Sequence, residues 1–118
     1  MINIEFPEDS GFELMPPDKY ACSVFDAVVQ ESKSSGEPYI AWQFKVLEGD
    51  FEGRILFYNT SLQRQALWKL RQLLEAMGEE VGAKFKLDLE STFGRKVLVE
   101  TGVREFNGRE REEVKNVY

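Results

Sequence analysis

The chain contains no histidine and one cysteine, Cys22, in 118 residues. Without imidazole, the usual proton shuttle and the commonest metal ligand are missing. Cys22 has no second thiol for an internal disulfide and no histidine to activate it as a nucleophile. No GxxxxGK[ST] phosphate loop occurs. The adjacent pairs Glu79-Glu80 and Glu112-Glu113 resemble solvated acidic faces more than converging metal carboxylates. The sequence therefore reads as a non-enzyme with no metal and no cofactor. It also lacks an apolar run of membrane-spanning length, and its start, MINIEFPEDSGFE, has acids where a signal peptide carries a basic region and an apolar segment. These absences predict a soluble cytoplasmic protein with no membrane partner, in a reducing compartment that leaves Cys22 a buried structural thiol.

Cations are missing from the start of the chain. Residues 1–18 hold Glu5, Glu8, Asp9, Glu13 and Asp18 with no Lys or Arg, so they carry five of the six net negative charges. The other hundred residues have 15 basic and 16 acidic side chains, and a nearly neutral body can still present a local basic groove. Pro7, Asp9 to Gly11 and Pro16-Pro17 break periodicity in the acidic stretch. It reads as an N-terminal arm, residues 1–18, partly packed through its apolar residues on a single domain of residues 19–118.

Within that domain the stretch PYIAWQFKVLEGDFEGRILFYNT organises the rest. Alternation places Ile40, Trp42, Phe44 and Val46 on a core face, and Tyr39, Ala41, Gln43 and Lys45 on the other. Asp18 to Gln30 predicts a long first strand, and the Glu48 to Gly53 turn separates strands two and three. Thr60 and Gln63 stand at capping-box spacing, which predicts a helix of about seventeen residues from Thr60 to a Gly78 stop. Its apolar stripe is Leu62, Ala66, Leu67, Leu70, Leu73, Leu74 and Met77. Phe85, Leu87 and Leu89 alternate like a short strand. Arg95 to Glu105 and Arg109 to Tyr118 flank Phe106-Asn107-Gly108, a hairpin signal.

Three strands, a helix and a closing hairpin match the order of an OB-fold, an all-β five-stranded Greek-key barrel with one helix. In such a barrel the face of strands two and three and the loops joining strands one to two and four to five bind single strands. Cations neutralise phosphates there and rings stack on bases. Mapped onto this chain, the nucleic-acid-binding candidates are Lys33, Tyr39, Gln43, Lys45, Arg54, Tyr58, Arg104, Phe106, Arg109 and Arg111. Tyr39 and Tyr58 also read as edge packing, and which of Phe57 and Tyr58 faces outward is left open by the sequence. Glu105, Glu110, Glu112 and Glu113 are potential ion-pair partners for the hairpin arginines. Trp68 lies off the helix stripe, one turn from Arg64 and Arg71, where cation–π contact, a protein interface or cover for the arm would each suit it.

The run from Lys33 to Gly78 resembles a bacteriophage family long described as of unknown function and grouped with phage single-stranded DNA-binding proteins. The resemblance rests on Lys33-Ser34, Gly36, Tyr39, Trp42, Phe44, Val46, Glu48-Gly49, Phe51, Gly53-Arg54, Leu62, Leu67-Trp68-Lys69-Leu70, Leu73 and Gly78. It continues more weakly through Gly94, Val97 and Asn107-Gly108, and no catalytic or base-reading motif carries over. It implies a sequence-independent single-stranded DNA-binding protein of phage DNA replication or recombination, in a host cytoplasm. Two rivals stand beside it: an OB-fold protein-interaction module that docks on replication proteins, and an acidic DNA mimic that inhibits a host or replisome protein. A homodimer, through a strand edge or Trp68, is open on either view.

Overall fold

The computed structural model describes residues 14–82, 86–106 and 108–118. The expectations for residues 1–13, Phe85 and Asn107, and for the side chains of Phe106 and Arg109, lie outside the described residues. Five strands form one antiparallel sheet: β1 (Lys19–Glu31), β2 (Pro38–Val46), β3 (Ile55–Ser61), β4 (Lys96–Phe106) and β5 (Arg109–Val117). Helix α1 (Leu67–Ala76) follows a 3-10 turn at Arg64–Ala66, and a second 3-10 turn occupies Leu89–Thr92.

The alternation read in β2 is observed. Ile40, Trp42, Phe44 and Val46 are buried, and β1, β4 and β5 add Cys22, Val24, Ala27, Val97, Val99 and Val117 to the same side. Leu70, Leu73, Leu74 and Met77 of α1 close over this inner face, because apolar side chains at three- and four-residue spacing share one side of a helix. Met15 is fully buried in this core, so the end of the N-terminal stretch packs on the body as its apolar content predicts. Burial pushes the Cys22 thiol up to about 11, and a thiol kept neutral at ordinary pH is a structural group.

Three expectations are corrected. The sheet is not closed into a barrel: the strand order is β3-β2-β1-β4-β5, so β3 and β5 are its two edges, with no ladder between them among the described residues. The two edges are tied where Arg54 Nη2, just before β3, donates to Glu112 Oε1 of β5 at 2.5 Å. Element order sets how many strands there are and how they follow one another. Closure requires the tilt and stagger that bring two edge backbones to hydrogen-bonding distance, and apolar alternation does not encode either.

The second correction concerns Thr60, which is no helix cap. It is a fully buried residue of β3, and its hydroxyl accepts the indole N–H of Trp42 at 2.8 Å. The helix accordingly begins later, after Ser61 Oγ accepts from the Gln63 N–H, and is shorter than predicted. The stretch around Leu87 and Leu89 leads into the 3-10 turn, with Asp88 accepting from the Glu90 N–H, and is not a strand.

Candidate nucleic-acid interface

The inner face of the sheet is committed to the core and α1, so its outer face is the surface left for a ligand. The β2–β3 ladder pairs Gln43 with Phe57 and Trp42 with Tyr58. Gln43 lies on the outer face and Trp42 on the inner, so Phe57 points outward and Tyr58 inward. The Tyr58 ring sits 6.2 Å from that of Phe44, and burial pushes its hydroxyl pKa up. Phe57 is 69% exposed.

A second outward ring comes from a β-bulge. The β1–β2 ladder runs Val24↔Phe44, then Asp26↔Gln43, so Phe25 is an extra residue with no partner on β2. The bulge turns this side chain out, and Phe25 is 54% exposed, with Lys45 Nζ 5.9 Å above its ring. Gln43 therefore lies between the bulge at Phe25 and Phe57, one strand away on each side, with Lys45 next along β2. Strand spacing puts the two rings' backbones about 10 Å apart across the sheet. Ser23 pairs with Lys96, which adds a cation at the start of β4. Beside it, the Gly94 N–H donates to the Val24 carbonyl, and the preceding Phe93 is also exposed.

The other candidates are placed as follows. Tyr39 lies on the outer face and its hydroxyl donates to Gln30 Oε1 at 2.8 Å. Lys33 is exposed in the β1–β2 loop, at the end of β1 where Glu31 pairs with Pro38. Arg54 is half-buried in its bridge to Glu112. Arg104 and Arg111 are directly opposed on the β4–β5 ribbon, and like charges so placed are unfavourable without a counterion. Alternation sends Glu105, Glu110 and Glu112 to the ribbon's other face, whereas Glu113 stays beside Arg104 at 3.9 Å. Arg104, Arg111, Glu112 and Glu113 line a recess of about 300 Å³. Lys115 lies across Gly102, where a Cβ would come within 2.3 Å of its Cε.

These positions spread along the sheet. β4 runs past the Lys19 end of β1, while Lys33 sits at the opposite end. From Lys96 to Arg104 the chain advances about 26 Å along β4. Phe25, Gln43, Lys45 and Phe57 on the outer face of β1 to β3 are the compact cluster; Arg104 and Arg111 lie further along the β4–β5 ribbon, which the Arg54–Glu112 bridge ties to the start of β3. Sequence reasoning missed Phe25, although the signal was present: a large ring followed by Asp26 inside an otherwise apolar strand breaks the alternation as a bulge does.

The profile of the family DUF669, described as a protein of unknown function, matches residues 2–118. The chain belongs to this family. The match covers nearly the whole chain, including the run from Lys33 to Gly78 that carried the resemblance, and the family's description names no ligand. No curated protein matches the chain. Among the described residues there is no cluster of potential metal ligands, and no helix is long and apolar enough to cross a membrane.

Proposed function

We propose that this protein binds single-stranded DNA with little sequence preference on the outer face of β1, β2 and β3. Bases stack on Phe25 and Phe57, the Gln43 amide lies between them, and Lys45, Lys96 and Lys33 neutralise phosphates. The observation that carries this reading is the pair of exposed phenylalanines on one face of the sheet, with an amide and a cation between them. Such rings accept any base, which is why stacking gives affinity without sequence readout. The family resemblance supplies the setting, phage replication or recombination. The open sheet suffices for this mechanism, because stacking needs a flat face and not a closed barrel.

The test is anisotropy of a labelled oligo(dT) titrated with the protein. Phe25→Ala and Phe57→Ala should each weaken binding by about 1–3 kcal/mol, a loss of roughly 5- to 150-fold. Tyr58→Phe should leave it within about twofold, since its ring faces the core and only the hydroxyl is removed. Wild-type affinity in the Phe25/Phe57 double variant, or equal affinity for duplex, would refute the proposal.

A further inference from the structure

Trp68 is the exposed side chain that the fold explains least. At 100° per residue it lies almost opposite the centre of the stripe formed by Leu70, Leu73, Leu74 and Met77, and it is 61% exposed. Leu67, also exposed, adjoins it. Around the two stand Arg64, Lys69 and Arg71, while Glu75 is the single acid between Asn59 and Gly78. Glu75 is already held by Arg71 at 2.9 Å, and the same guanidinium donates to the Val81 carbonyl at 3.0 Å. Arg64 and Lys69 make no ion pair among the described residues; Lys69 Nζ lies 5.9 Å from the Trp68 ring. A chain of net charge −6 thus carries, on its helix, an apolar patch ringed by cations.

From this face we infer a docking site for a short acidic segment of a partner protein, with an apolar side chain packed on Trp68 and Leu67 and carboxylates on Arg64 and Lys69. Charge complementarity selects the acidic class. Size selects a short segment: a tryptophan presents on the order of 250 Å², well below the ~800 Å² per partner of a stable globular interface. A second copy fits poorly, because a two-fold contact through Trp68 would set Arg64 and Lys69 against their own counterparts. A DNA strand on the outer sheet face would not meet Trp68, which points away from the inner face that α1 covers.

The experiment uses the full chain and a fluorescein-labelled twelve-residue peptide of Asp and Glu with a central Phe-Leu pair, alongside oligo(dT). Saturable peptide binding is expected below about 1 mM, weakened about tenfold or more by Trp68→Ala and by the pair Arg64→Glu and Lys69→Glu. Oligo(dT) binding should stay within about twofold in Trp68→Ala, since the ring lies off the stacking face. No saturable binding by 1 mM, or binding indifferent to these substitutions, overturns the inference. So does an oligo(dT) affinity that falls with Trp68→Ala, which would make the occupant nucleic acid. A dimer in sedimentation velocity that Trp68→Ala dissociates would make it a second copy. Phe25 and Phe57 are not involved, so this inference and the DNA-binding proposal fail separately.

Discussion

The indole N–H of Trp42 and the hydroxyl of Thr60 meet across 18 residues of sequence, and both side chains are fully buried. A buried donor left without an acceptor costs its desolvation, about 1–3 kcal/mol. Thr60→Val keeps the shape and removes the acceptor, so it should lower unfolding free energy by about that amount in urea titrations, whereas Thr60→Ser should retain most of it. The same residue shows why local reading failed here. Thr60 and Gln63 stand at the spacing of a capping box, and only the partner strand reveals that Trp42 claims the hydroxyl. Phe57 and Tyr58 pose a similar question, since both are aromatic neighbours in ILFYNTS and either parity leaves one ring inside. Their pairing with Gln43 and Trp42 decides it.

Among the elements, those whose pattern is set by burial were the legible ones. β2 alternates because one face meets the core, and Leu70, Leu73, Leu74 and Met77 repeat at helical spacing because α1 lies on that core. The hairpin joining β4 and β5 was also legible: Gly108 has a positive φ of 77°, which suits glycine. What its charges do was not. Four acids and three arginines between Arg104 and Glu113 allow many pairings, and the register separates them by face, leaving Glu112 for Arg54. This bridge ties the ribbon to the start of β3. Glu112→Gln should cost about 1–2 kcal/mol of stability, as charge-assisted bonds at partly buried sites do. Amide exchange should quicken most between residues 109 and 114, next to the lost tie.

At the scale of the whole molecule, the cations lie on two parts of the sheet. Lys33, Lys45 and Lys96 belong with the outer face of β1 to β3, and Arg104, Arg111 and Lys115 with the ribbon. Each phosphate neutralised on a single strand contributes about −0.7 to the slope of log K against log salt. Binding on the sheet face alone therefore predicts a slope of about −2, and engagement of the ribbon as well about −4. A titration of oligo(dT) affinity from low to moderate salt distinguishes them, and a flat response would leave no phosphate contact in the mechanism. That β3 and β5 are the edges, and that Arg54 meets Glu112 between them, was invisible in the sequence, which placed all ten candidates around a closed barrel. Strand order and edge separation depend on backbone geometry that no side-chain pattern records.

The bulge in β1 has a consequence for descent. Removing Phe25 would leave Val24 opposite Phe44 and Asp26 opposite Gln43, with inward and outward positions alternating normally and the ladder intact. The fold spends no core position on this ring. In genetic terms, loss of one codon separates a chain that has the outward phenylalanine from one that lacks it, and the architecture can be inherited unchanged while the binding face is gained or lost.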